Sequence, residues 1–168
     1  MVRVVRWARP TNVPAVPIYL VRHGDAGSRS RWAGDDNLRP LSGKGRRQAA
    51  WLSEQLADRP VGRLFSSPSR RCVETLEPVA AQRGLAVEVV DLLDEGAAAK
   101  EAVKFLLTHA GENPVACSHG DVIPKVLRRL HAAGMRAPDG NTAAKGSLWE
   151  IDVDPSGAVR SGIYHQPA

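Results

Sequence analysis

Apolar and polar positions alternate along the chain in short blocks with two different periods. Ile18-Tyr19-Leu20-Val21 is a continuous apolar run between Pro17 and Arg22, the pattern of a short buried strand. Residues 27–40 are polar, contain Gly27, Gly34 and Pro40, and read as a long loop; loops of that length in a compact domain usually carry function. Ser42 then fits the N-cap of a helix to about Ala57, with Ala49, Leu52 and Leu56 on one face and Pro60 beyond its end. Arg63-Leu64-Phe65-Ser66 is a second strand. Ser67-Pro68 opens a helix with Cys72, Leu76, Val79 and Ala80 at helical spacing, stopped by Gly84.

The alternation continues through the second half. Val87–Val90 is a third strand, residues 92–99 a loop, and a helix runs from there to about His109. Val115–Ser118 is a fourth strand. Asp121 is placed to cap a helix over 122–133, where Pro124 is tolerated in the first turn. Ser147–Val153 and Val159–Tyr164 form a hairpin around Asp154-Pro155-Ser156-Gly157, a type I turn sequence. Of the tryptophans, Trp51 and Trp149 are expected in the core. Strands alternating with helices predict an α/β fold: a three-layer α/β/α sandwich around a mainly parallel central sheet. In such sheets chemistry gathers at the carboxyl ends of strands. Here two strands run directly into His-Gly: His23-Gly24 and His119-Gly120.

Length and composition narrow the picture. The chain has 168 residues, enough for one domain with its own core. Pro10, Pro14 and Pro17 oppose helix, so residues 1–17 read as a lead-in and 18–168 as the folded domain. Cys72 and Cys117 are too few for a disulfide framework and read as buried thiols of a reducing compartment. No apolar run approaches the roughly 18 residues of a membrane span, and the first residues lack a secretory pattern. The expectation is a soluble, cytoplasmic protein without membrane association; its oligomeric state is not legible.

The net charge of +5 is unevenly placed, with ten Lys/Arg against three Asp/Glu in residues 1–47. A basic segment attracts phosphorylated substrates, nucleic acid or acidic lipid. Nucleic-acid binding is not expected, because Trp7 and Trp32 are the only aromatics interleaved with the N-terminal cations. His109, His131 and His165 read as surface or structural residues. His23 and His119 would share a crevice with Arg22 and with Arg70 or Arg71 at a helix start. Guanidinium groups bind phosphate oxygens through directed pairs of hydrogen bonds, and a helix N-terminus adds backbone donors. A neutral imidazole in that setting can attack phosphorus and hold the phosphoryl group. Zinc would usually take three protein ligands, and clustered arginines repel a cation, so neither a metal nor another cofactor is expected.

These segments resemble the histidine phosphatase, or phosphoglycerate mutase-like, superfamily. LVRHG (20–24) matches its signature, SSPSRRCVET (66–75) is similar to its Ser-Ser-Pro-Leu-x-Arg-Ala-x-Gln-Thr motif, and SHGDV (118–122) matches a third motif. Where that second motif has Leu, Ala and Gln, this chain has Ser69, Cys72 and Glu74. The resemblance implies a phosphoglycerate mutase-like fold with His23 as the phosphorylated nucleophile. It implies Arg22, Arg71 and His119 as phosphate ligands, with His119 also in the catalytic set. Leu93-Asp94-Glu95 is similar to the segment that carries the proton donor and points to Glu95, with Asp94 or Asp25 as alternatives. The chain's length, RHGDA, and RPLSGKG (39–45) resemble short bacterial phosphatases, including those acting on phosphohistidine. GSRSRWAGDDNLRPLS (27–42) resembles the phosphatase-like half of actinobacterial Nudix hydrolases, although no Nudix box is present.

The implied activity is a metal-independent phosphatase acting on a phosphomonoester or phosphohistidine. Its partner would be a phosphorylated small molecule, nucleotide or phosphoprotein, met at a rim formed by Arg29, Arg31 and Trp32. The alternative is a regulatory module that recognises phosphate with little turnover.

Overall fold

The computed structural model describes residues 15–168. Its ten main elements are β1 (Val16–Arg22), α1 (Gly43–Leu56), β2 (Arg63–Ser66), α2 (Arg70–Arg83), β3 (Val87–Val89), α3 (Ala99–Thr108), β4 (Pro114–Ser118), α4 (Ile123–Ala132), β5 (Leu148–Val153) and β6 (Val159–His165). The strands form one sheet in the order β3-β2-β4-β1-β5-β6. The pairings β3–β2, β2–β4 and β4–β1 are parallel, whereas β1–β5 and β5–β6 are antiparallel. The fold is therefore a mixed sheet between two helical layers, with its parallel half carrying every His-Gly and Ser-Pro turn singled out above.

Strand pleating distributes the core between the two faces. Tyr19 and Val21 point to one face with Leu64, Val115 and Cys117, and there they meet Leu52 of α1 and Leu76 of α2. Ile18 and Leu20 point to the other face with Phe65, Ala116 and Trp149, under Leu106 of α3 and Leu127 of α4. Right-handed crossovers dictate this partition. The chain moves outward from β1 to β2 to β3 through α1 and α2, then returns to β4 through α3 on the opposite face. Both cysteines are free and buried. Trp149 is fully buried, while Trp51 is half-buried against its cluster.

Two local expectations change. The lead-in expected over 1–17 lies outside the described residues up to residue 14, and β1 begins at Val16. Pro17 fits in the strand because β4 pairs with β1 only from Tyr19 onward, so its missing N–H breaks no bond to β4. Asp121 does not cap α4: that helix has no side-chain cap, and the Asp121 carboxylate accepts from the Gly96 backbone N–H at 2.8 Å instead. Ser42 does cap α1, accepting from Gly45 N–H at 3.1 Å. Among the described residues no helix is long and apolar enough to cross a membrane.

Candidate active site

The four segments of interest converge at the carboxyl ends of the parallel strands. Arg22 and His23 follow β1, Ser67 follows β2, Asp94 and Glu95 follow β3, and His119 follows β4. Their pairing sets the histidines side by side: Arg22 stands opposite Ser118 in the ladder, and His23 N–H still bonds the Ser118 carbonyl at 3.1 Å. The two imidazoles meet edge to face with centroids 5.3 Å apart. His23 borders a cavity of about 450 Å³ whose wall also includes Arg22, Arg71, Glu95 and Gly120, and His119 lies buried directly behind it.

His23 is buried, and its Nδ1 lies 2.7 Å from the Gly24 carbonyl. A carbonyl only accepts, so Nδ1 carries the proton and the lone pair sits on Nε2. Burial pushes the ring's pKa down to about 3; the Gly24 bond opposes that shift, while His119, Arg71 and Arg22 add to it. The ring is thus a neutral base with a fixed tautomer, the state a nucleophile needs.

His119 is held from behind. Ser67 Oγ donates to Asp94 Oδ1 at 3.0 Å, so it accepts from His119 Nε2–H at 2.7 Å. That leaves His119 Nδ1 facing Arg71 Nη2 at 3.5 Å and Glu95 Oε1 at 3.6 Å. Ser67 lay within a recognised motif, but its side-chain role was not legible.

Arg71 is fully buried at the start of α2. Its Nη2 donates to Glu95 Oε1 at 3.0 Å and its Nη1 to the Asp36 carbonyl at 2.9 Å, with the Asp36 carboxylate 3.2 Å away. Arg70 instead points outward and bonds Glu74 across one helical turn at 2.5 Å. Arg22 donates to the Ala143 carbonyl at 2.7 Å. The Nε atoms of both Arg22 and Arg71 are buried without a partner among the described residues. Such donors cost about 1–3 kcal/mol each when left unmet, which is an arrangement waiting for acceptor oxygens.

The glycines after the two histidines serve close approach. Neither adopts a left-handed φ, so the turn closed by Val122 N–H on the His119 carbonyl at 3.2 Å does not itself demand glycine at 120. A Cβ on Gly24 would stand 2.9 Å from the Gly45 carbonyl oxygen, and one on Gly120 would stand 2.6 Å from the Arg22 guanidinium carbon. Gly120 therefore makes room for the Arg22 head group beside His119.

The loop over 27–40 folds into two short 3-10 turns, Arg29–Arg31 and Asp36–Leu38. Arg39, buried and not recognised in the sequence, fastens it by donating to the Ala26 carbonyl at 2.8 Å and to Asp36 at 2.8 Å. Arg29 lies in the cavity wall and bridges Asp36 at 2.9 Å and Glu95 at 2.7 Å. Arg31 and Trp32 lie outside that wall; the Trp32 indole N–H bonds the Asp35 carbonyl at 3.0 Å. Lys145, also unrecognised, joins the wall and pairs with Asp25 at 3.1 Å.

The candidate acids separate by position. Asp25 is locked by Ser42 at 2.6 Å and by Lys145, and the Ser42 bond leads in holding its pKa down to about 2. Asp94 accepts from Ser67 and from Glu95 N–H, behind His119. Glu95 alone of the three borders the cavity, alongside Asp121. His109, His131 and His165 are elsewhere, each near a carboxylate or carbonyl of its own. Among the described residues no group of three or more His, Cys, Asp and Glu is arranged to hold a metal ion.

Two strands ending in His-Gly and two arginines with unmet donors thus gather at one end of a mixed α/β sheet. The sequence pattern of the histidine phosphatase superfamily (branch 1) matches residues 18–100, and the chain belongs to that superfamily. Over 164 residues it is 36% identical to the 8-oxo-(d)GTP phosphatase of Mycolicibacterium smegmatis, a match that takes in 95% of this chain and 50% of that protein. The chain thus spans about half the length of that curated relative. The fold is shared with the protein histidine phosphatase SixA bound to tungstate, at a TM-score of 0.66 and 24% identity over 89% of this chain and 94% of that one. It is shared equally with mycobacterial glucosyl-3-phosphoglycerate phosphatase, at a TM-score of 0.65 and 18% identity over 90% and 98%.

Proposed function

We propose that the protein is a phosphohydrolase that transfers a phosphoryl group to His23 and then to water. The observation that carries this is the neutral, buried His23, with its proton fixed on Nδ1, beside two arginines with unmet buried donors. In the first step His23 Nε2 forms a bond to phosphorus while the bond to the leaving oxygen or nitrogen breaks. Arg22 and Arg71 receive the phosphoryl oxygens, whose charge spreads as the bond loosens, and His119 joins them through a second proton carried on Nδ1, the atom that faces Glu95 without ligand. In the second step water attacks the phosphohistidine, giving inorganic phosphate and the original imidazole.

Glu95 supplies the proton to the leaving group and accepts one from the attacking water. Without ligand its carboxylate occupies Arg71 and Arg29. A phosphoryl dianion competes for the same guanidinium, releases Glu95, and places negative charge beside it. Freed from Arg71, Glu95 can turn to the leaving atom and hand it a proton. The Asp94–Ser67 pair holds the His119 ring in place.

Five cationic side chains line the cavity against two carboxylates. That excess suits a substrate with negative charge beyond the scissile group, such as a nucleotide or an acidic phosphoprotein, and the 8-oxo-(d)GTP phosphatase relative supports the nucleotide reading. The test is His23→Ala with rapid quench of the wild type on an aryl phosphate. Stoichiometric, acid-labile and base-stable phosphate on the wild type, and loss of turnover in a folded variant, are expected. Retention of more than a small fraction of the activity by His23→Ala overturns the proposal.

A further inference from the structure

A second basic region lies on the outer side of the α3–α4 layer, away from the cleft. Along α3, Lys100, Val103, Lys104 and Leu107 recur at helical spacing on one face. Along α4, Lys125, Arg128, Arg129 and Ala132 do the same. Between these faces run two adjoining hollows of about 600 and 440 Å³, which share Lys100 and Arg129. The half-buried side chains of Val103 and Leu107 give the groove an aliphatic floor, and the exposed cations form its rim.

The rim carries no compensating charge. No carboxylate lines either hollow, and none of the five cations forms an ion pair among the described residues. Some surface cations elsewhere have partners, as Arg63 with Glu88 and Glu112, Arg59 with Glu150 and Arg160 with Asp154, and those that do not, such as Arg31 and Arg136, are not gathered around one groove. Three of the chain's five lysines stand on this rim. Like charges gathered on two facing helices repel one another, so an acidic occupant both relieves that repulsion and covers the aliphatic floor.

We propose that the α3–α4 groove docks an acidic, amphipathic helical segment of a partner protein. Its aliphatic side chains would lie on Val103 and Leu107, and its carboxylates would meet Lys100, Lys104, Lys125, Arg128 and Arg129. A groove between two helices accepts the ridge of a third, and apolar anchors at helical spacing give such an interface its register. A nucleic acid fits less well, because no aromatic side chain lines the groove for base stacking. The site is distinct from the cleft, with which it shares no lining residue.

The experiment measures fluorescence anisotropy of the full chain with a labelled synthetic peptide of about four helical turns. The peptide carries leucines at i and i+4 flanked by glutamates. A scrambled peptide of the same composition and a single-stranded oligonucleotide of equal charge serve as controls. The amphipathic peptide is expected to bind at least about tenfold more tightly than either control. Lys104→Glu with Arg129→Glu should weaken it by about tenfold or more, since each reversal removes an attraction and adds a repulsion. Aryl phosphate turnover should be unchanged, which also reports that the variant is folded. Lys104→Gln with Arg129→Gln, which adds no negative charge, should give a smaller loss in the same direction. The proposal is overturned by any of four results: equal binding of the scrambled peptide, tighter binding of the oligonucleotide, indifference to both double substitutions, or no binding.

Discussion

The protein carries two clusters of cations that the same residue types build in opposite ways. In the cleft, Arg71 is fully buried, its guanidinium is shared between Glu95 and Asp36, and its position is fixed before any ligand arrives. On the α3–α4 face, Lys100, Lys104, Lys125, Arg128 and Arg129 are exposed and lack ion-pair partners among the described residues. The difference teaches what each can do. A buried donor held by two carboxylates needs no reorganisation when charge develops, which is what lowers a barrier. A ring of solvated side chains supplies a field and adaptable contacts, which suits association and is weakened by salt.

Exchanging one arginine from each region gives the largest contrast. Arg71→Ala should lower kcat/KM for an aryl phosphate by about 10²–10³, as for loss of one preorganised donor. Arg129→Ala should leave it within about twofold, because exposed substitutions remote from a site change little. Arg70→Ala should resemble Arg129→Ala, since Arg70 faces solvent with Glu74. Steady-state kinetics on the three variants decides this, and similar losses at Arg71 and Arg70 would erase the distinction.

Glu95→Gln sharpens the role of the internal carboxylates. Removing the charge that occupies Arg71 should tighten inhibition by vanadate or phosphate, while kcat for an alkyl phosphate falls by about 10²–10⁴ for want of the acid. An aryl phosphate, whose leaving group needs less protonation, should lose much less. A parallel loss on both substrates would show that Glu95 only positions Arg71.

Gly120→Ala is a smaller and more local probe. The added Cβ would sit 2.6 Å from the Arg22 guanidinium carbon, and the flexible arginine must swing aside. Phosphate affinity should fall, with kcat/KM down by about ten- to a hundredfold and the melting temperature little changed. Unaltered kinetics would mean that Arg22 is not held where the ladder places it.

The buried histidine also gives the cleft a pH signature that the exposed groove lacks. His23 goes from 6.5 unfolded to about 3 folded, burial being the main cause, so between those values the unfolded chain binds more protons. Its contribution is whole above pH 6.5 and is lost as pH falls through that window to about 3. The loss is on the order of 4 kcal/mol. His23→Asn should flatten the stability curve between those two pH values in urea unfolding. Asp25 and Asp36, both held down to about 2, lose their contributions only below about pH 4. An unchanged slope in the variant would place the titration elsewhere.

Much of this architecture was legible in residue order because its causes are local. A buried apolar run, a Ser N-cap, a left-handed Gly84 at a helix end and an Asp-Pro-Ser-Gly turn each act within a few positions, so the elements fell where pattern put them. The two His-Gly strand ends were legible for the same reason, as was the alternation that puts helices on both faces. What the residue order left open was partnership. The antiparallel β5–β6 half, the Arg39 fastening of the loop, the Ser67–Asp94 support of His119 and the Lys145–Asp25 pair depend on segments brought together by sheet order. Arg22 finds its carbonyl partner 121 residues away, and the residue meant to cap α4 bonds Gly96, 25 positions back, instead. Periodicity reports which face of an element is apolar, and so it determined the elements and the strand ends that bear the histidines. Only the tertiary structure decided which carboxylate meets which guanidinium, because that choice is made by distance in space, to which local pattern is blind.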